Sequence, residues 1–403
     1  MRFSFFLFFA FTVYIMMSCS KKPVVNGTWR AELEIQNQVL PFTFSIEENE
    51  KGLKATIHNG TENIELSEVK WQDDTLVLTL HIFDAALEVT VEGDVMKGNF
   101  VKYYDIQNPI PFTAKRGDTF RFVPTIQNTS INFSGKYAIT FYNENDTTDA
   151  VGIFEQKGNT VTGTFLTPTG DYRYLEGNVV DNELKLSAFD GNHAFLFTAT
   201  QNSDSISGHF YSGKSFHQNW KGIKNENASL PDANALTYLK SGYETISFSF
   251  PNTDSVLVSP QDEKYKNKVL VLQIFGTWCP NCMDETRFLT EWYNQNADRG
   301  VEILGLAFER KDDFQYAKER VLKMKEKLSV PYSFVIAGTN DKAIASEALP
   351  MLNKVLAFPT TIFIGKDGKV KKIHTGFSGP GTGIYYEQFK EEFNATINTL
   401  LAE

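Results

Sequence analysis

The chain is short of cysteine, of histidine and of positive charge. Three cysteines and six histidines stand among 403 residues, and 39 Lys+Arg against 49 Asp+Glu leave a formal net charge of −10. That acidic balance argues against nucleic acid as a partner, because phosphate backbones select basic surfaces. His193, His209 and His217 show no metal-ligand spacing and read as surface or core histidines. No metal, flavin or nucleotide motif is present, so no cofactor is expected. The cysteines are Cys19, Cys279 and Cys282. If Cys19 is modified, only Cys279 and Cys282 remain, and a chain with no stray thiol suits an oxidising compartment. A loop that short gives little loop-closure stabilisation, so the pair reads as a working couple rather than a staple.

What is present is apolar and aromatic. Hydrophobic residues make up 42%, ample for packed cores, and 34 are phenylalanine. The length suggests two to four domains. From Pro23 to Lys224 helical periodicity is almost absent. Short alternating runs such as Phe42-Thr43-Phe44-Ser45-Ile46 and Leu76-Val77-Leu78-Thr79-Leu80 recur between turn signals such as Asn59-Gly60 and Gly158-Asn159. The stretch also repeats. Asn26-Gly27-Thr28-Trp29 matches Ser134-Gly135-Lys136-Tyr137, Asp74 to Leu78 matches Asn182 to Leu186, and Met96 to Phe100 matches Ile206 to Phe210, in order and at nearly one offset. The expectation is two antiparallel all-β domains, residues 24–118 and 131–224, each a barrel-like closed sheet, with one continuous sandwich as the alternative. Phe210, Tyr211, Phe216 and Trp220 could line a pocket but read as core. Residues 225–244 read as a linker.

The last third, residues 245–403, changes pattern. Ile246 to Phe250 reads as a strand, and Val269 to Phe275 as a buried one. Gly276-Thr277-Trp278 and then Cys279-Pro280-Asn281-Cys282 lead into a helix. Alternating strands and helices follow to the C-terminus, giving an α/β fold with a mixed sheet. Cys-x-x-Cys at a strand-to-helix junction is a redox signature: a helix N-terminus stabilises the reactive thiolate. Cys279 is expected to be exposed at the helix start, with Cys282 one turn inside. The alternative, half of a structural zinc site, needs two further ligands that the sequence does not supply.

Trp278-Cys279-Pro280-Asn281-Cys282 with Glu285, together with Phe358-Pro359-Thr360, resembles the TlpA/ResA-like branch of the thioredoxin superfamily, over about residues 243–403. Those proteins are membrane-tethered thiol–disulfide oxidoreductases of the bacterial envelope. The resemblance implies a thioredoxin fold, a redox disulfide Cys279–Cys282 and a cis Phe358–Pro359 bond facing it. It implies Trp278, Pro280 and Phe358 as substrate-binding residues, with the Phe358 backbone free to pair with an extended segment. Where thioredoxin has a buried carboxylate, this chain has Gln273, which cannot titrate. Glu285 is the candidate replacement, and Glu309 a weaker one. The alternative for Glu285 is an exposed acid near a helix start, and for Pro359 a trans edge-strand proline.

The N-terminus fits the same picture. Met1-Arg2 opens an apolar run to Met17, shorter than the roughly 20 residues of a spanning helix but suited to a signal peptide, residues 1–18. Met16-Met17-Ser18-Cys19 resembles a bacterial lipobox, so Cys19 is the expected lipidation site and residues 19–23 a tether. An uncleaved anchor or an ordinary secretory signal is the alternative. Ser20 leans towards the outer membrane. The resulting expectation is a lipid-anchored, periplasm-facing protein-disulfide reductase. Its partners are disulfide-containing envelope proteins and a membrane dithiol electron donor. Two rivals are a peroxiredoxin-like thiol peroxidase and a ligand-binding lipoprotein with an auxiliary redox module.

Overall fold

A computed structural model describes residues 22–124 and 129–403. The signal peptide, the lipobox and Cys19 lie outside these residues. No helix among the described residues is long and apolar enough to cross a membrane.

Residues from Gly27 to Arg116 form a closed barrel of eight antiparallel strands. The first strand, Gly27–Ile35, pairs with both Gln38–Asn49 and Ile110–Arg116, which closes the ring. Alternation sends Trp29, Ala31, Leu33 and Ile35 inward, opposite Phe42 and Phe44 of the next strand. A second ring runs from Gly135 to Lys224. Its strand Thr147–Lys157 pairs with Gly135–Tyr142 on one side and Thr160–Thr167 on the other, and Gly135–Tyr142 pairs with Phe216–Lys224. Eight long strands thus close on themselves, with the two-residue strand Gly170–Asp171 added at the rim. The two rings replace the continuous sandwich.

The repeat in the sequence is a repeat in space. Gly98 and Gly208 occupy the same strand position of the two barrels. A Cβ there would lie 1.9 Å from the Glu88 carbonyl oxygen in one and 1.8 Å from that of Thr198 in the other. Only glycine permits so close an approach of neighbouring backbones. Both interiors are filled by rings. In the second, Phe165 and Phe197 stack at 4.7 Å and Phe197 and Phe210 at 4.3 Å, with Trp220 fully buried. Phe216 is exposed at the rim. The barrels also join: Phe189 of the second lies 4.4 Å from Phe42 and 5.0 Å from Phe100 of the first.

The last third is a five-stranded sheet in the order Ser333–Thr339, Val301–Glu309, Val269–Phe275, Thr360–Ile364, Val370–Thr375. The first three are parallel and the last two antiparallel. Helices Pro280–Asn296 and Ile384–Ala402 pack together through Phe288, Trp292 and Phe393. The expected strand Ile246 to Phe250 does not form. Ile246 and Phe248 are buried, so the alternation is real, but only Phe250–Pro251 pairs, with Leu257–Val258. Alternation reports which side faces the core, not whether a partner strand is present.

Candidate active site

The strand Val269–Phe275 is buried at every residue and delivers Gly276, Thr277 and Trp278 to the start of the helix Pro280–Asn296. Cys279 is the N-cap. Its backbone is extended, and its sulfur accepts the Cys282 N–H at 3.2 Å. Pro280 at the first helical position forfeits an N–H that would have no partner there. Cys279 and Cys282 are joined as a disulfide, with Cα atoms 5.2 Å apart. The expected exposure of Cys279 is not found: the residue is 6% exposed and Cys282 fully buried. Aromatic rings and the second barrel crowd the helix start.

The Phe358–Pro359 bond is cis. The Phe358 carbonyl oxygen lies 3.4 Å from the Cys279 sulfur. The Trp278 ring meets that of Phe358 edge-on at 5.5 Å, and its Nε1–H donates to the Phe308 carbonyl at 2.8 Å. Trp278, Cys279, Pro280, Cys282, Phe358 and Pro359 therefore converge.

Two buried carboxylates stand behind the motif. Glu285 is inside the fold, not on an exposed helix face. Burial pushes its pKa up to about 7, against the lowering pull of hydrogen bonds from Thr361 (2.6 Å) and Gln273 (2.8 Å). Gln273 Nε2 also lies 3.4 Å from the Cys282 carbonyl oxygen, so the glutamine links Glu285 to the motif. Glu309 likewise rises to about 7 through burial, although it accepts the Thr277 N–H and hydroxyl, both at 2.8 Å.

Several neighbours of the motif come from the barrels, and no signal in the sequence pointed to them. Asn192 Nδ2 donates to the Trp278 carbonyl at 2.9 Å, and Asn281 Nδ2 donates to the Asp171 carbonyl at 3.1 Å. Arg173 of the second barrel pairs with Asp284 of the redox helix and with Glu62 of the first barrel, and its Nε lies 3.8 Å from Asp190. All four side chains are nearly buried. Among the described residues no group of three or more histidine, cysteine or acidic side chains could hold a metal. His209 and His217 meet across neighbouring strands at 3.2 Å, an adjacency their sequence spacing does not reveal.

Residues 227–387 match the Redoxin family model. The thiol-disulfide oxidoreductase ResA of Geobacillus thermodenitrificans is 33% identical over 112 residues, covering 28% of this chain and 57% of that protein. ResA of Bacillus subtilis is 25% identical over 138 residues, covering 34% and 69%. The C-terminal third is a TlpA/ResA-like domain of the thioredoxin superfamily. The thiol:disulfide interchange protein DsbE of Vibrio cholerae is 26% identical over 112 residues, covering 28% of this chain and 52% of that protein. The chain spans little more than half the length of the first of these relatives, and the redoxin match begins after the last barrel strand.

Proposed function

We propose that the chain is a thiol–disulfide oxidoreductase of the bacterial envelope that reduces disulfides of partner proteins. One observation carries this reading: a buried strand delivers Cys279 to a helix N-cap, bonded to Cys282 and beside the Phe358 carbonyl. Reduced Cys279, as a thiolate, attacks one sulfur of a substrate disulfide. A mixed disulfide forms and the other substrate sulfur leaves as a thiol. Cys282 loses its proton and attacks Cys279, which releases the second substrate thiol and closes the Cys279–Cys282 disulfide. Two electrons pass to the substrate, and a membrane dithiol protein restores them. Glu285, one helical turn beyond Cys282 and with a pKa raised to about 7, is suited to exchange the Cys282 proton near neutral pH, while Gln273 holds the Glu285 carboxyl in place. Pro359 and Phe358 border the approach, and Trp278 and Pro280 shape it.

Cys19 is the proposed lipid attachment, with an outer-membrane, periplasm-facing location. Cys19→Ala should release the protein from membranes or stall processing, and unchanged fractionation and processing would exclude the tether. Of the rivals, hydroperoxide chemistry lacks support because the Thr277 hydroxyl is committed to Glu309. Ligand binding inside the barrels lacks support because rings fill both interiors.

The reductase reading is tested with Cys282→Ser. It should accumulate a mixed disulfide between Cys279 and a disulfide substrate such as insulin, while Cys279→Ser should form none. Equal trapping by both variants would reverse or remove the assigned roles.

A further inference from the structure

Near Trp278 stand two cations that have no ion-pair partner among the described residues. Arg310 follows the strand Val301–Glu309. Its guanidinium lies 4.0 Å over the Tyr104 ring of the first barrel and 5.3 Å over the Trp278 ring. Its Nη2 donates to Asn192 Oδ1 at 3.4 Å, and its Nε has no hydrogen-bond partner among the described residues. Lys102 ends the strand Val95–Lys102, with Nζ 5.9 Å from the same Tyr104 ring and 5.5 Å from Phe100.

Among the described residues neither cation forms a salt bridge. Asp105 and Asp190 act on Lys102 only from a distance, and Asp190 is already held by His193 and Arg173. Burial, with Arg310 nearby, pushes the Lys102 pKa down to about 8. Two like charges partly withdrawn from water are unfavourable without a counterion. In a chain of net charge −10 such a spot stands out. From it a continuous line of contacts reaches the reactive sulfur: Arg310 to Trp278, Trp278 to the Phe358 ring, and the Phe358 carbonyl to Cys279.

We propose that Lys102 and Arg310 form a carboxylate-binding subsite, so that the preferred substrate disulfide is flanked by aspartate or glutamate on an extended segment. The proposal rests on the reductase reading above. The guanidinium offers charge-assisted donation to a carboxylate and Lys102 adds a point charge. The first barrel, through Lys102 and Tyr104, thereby becomes part of substrate selection.

The experiment uses the full-length chain, reduced beforehand, and two synthetic disulfide peptides that differ only in glutamate or lysine beside the half-cystines. Single-turnover oxidation of the protein should be about tenfold faster with the glutamate peptide at low salt, and the preference should shrink at high salt. Lys102→Met and Arg310→Gln should each shrink it to about threefold or less. Equal rates for the two peptides with the wild-type chain would overturn the subsite, whatever the variants do. An undiminished preference in both variants would move it elsewhere and overturn the assignment to these residues. Failure to reduce either peptide would instead sink the reductase reading.

Discussion

Between its fifth and sixth long strands the first barrel turns through Leu80, His81, Ile82, Phe83 and Asp84. At the corresponding place the second turns through Asp190, Gly191, Asn192 and His193. Both loops reach the redoxin domain, and they grip it differently. Ile82 and Phe83 sink into the redoxin core, while Asp84 and the Ile82 carbonyl meet Arg320. His81 lies 3.0 Å from Arg287, and burial holds it neutral with a pKa of about 3. The second loop places no side chain in that core. Asn192 instead holds the Trp278 carbonyl beside Cys279, and Asp190 helps hold Arg173. The same frame used twice thus gives one apolar anchor on the scaffold helices and one polar grip on the redox motif. An anchor is felt mainly as stability and a grip mainly as chemistry.

The largest effect should come where the two uses meet. Arg173→Met leaves Asp284, Glu62 and Asp190 buried around a lost cation, at a cost of about 3–5 kcal/mol. Urea unfolding measures it, and an unshifted midpoint would mean that the charged junction does not hold the three units together. Next is the anchor. Ile82→Ala should cost about 2–4 kcal/mol by truncating a buried side chain, with an unchanged reduction rate per folded molecule. A slowed rate at full folding would erase the distinction between the loops.

Glu285 touches neither loop and serves as a reference. Its raised pKa means that the folded chain keeps a proton the unfolded chain has released between about pH 4.5 and 7. The stability tied to that proton is complete below about 4.5 and is lost as pH rises towards 7. Glu285→Gln should remove this pH-dependent loss, which amounts to about 3 kcal/mol across that range. It should also lower the apparent pKa of the reactive thiol and slow reduction. A stability profile, pH–rate curve and rate that overlay wild type would leave Glu285 without a role. The smallest effect is the grip. Asn192→Ala removes the hydrogen bond to the Trp278 carbonyl, worth about 1 kcal/mol, and two longer contacts from Arg310 and Tyr104, so reduction should slow roughly fivefold with the unfolding midpoint nearly unmoved. A loss of stability with no change in rate would make Asn192 an anchor as well.

Much of this frame is legible in the chain. The barrels follow from period-two alternation and a repeat of about 110 residues, both local signals. The strand, the helix start and the Cys-Pro-Asn-Cys motif are contiguous, and Phe358-Pro359 is brought to them by the redoxin fold. The covering of Cys279 was not legible. Asn192, Asp171, Arg173 and Arg310 sit far from the motif in sequence, in loops and at a rim strand whose composition is ordinary for turns. Their meeting depends on how the barrels dock, and no periodicity encodes docking. In the sequence Gln273 shows only the lack of a titratable group, whereas in the fold it holds Glu285. Ile246 to Phe250 is the converse case, a strand-like local pattern of which only Phe250 pairs.

The Arg173 junction also bears on the order of assembly. Glu62 and Asp284 each lie 111 residues from Arg173 in sequence, one before it and one after. Synthesis runs from the N-terminus, so the residues of both barrels precede those of the redox helix. Glu62 and Asp190 can meet Arg173 at that stage, and Asp284 is the last partner to arrive. If the barrels fold first, Cys279 and Cys282 meet a housing already built.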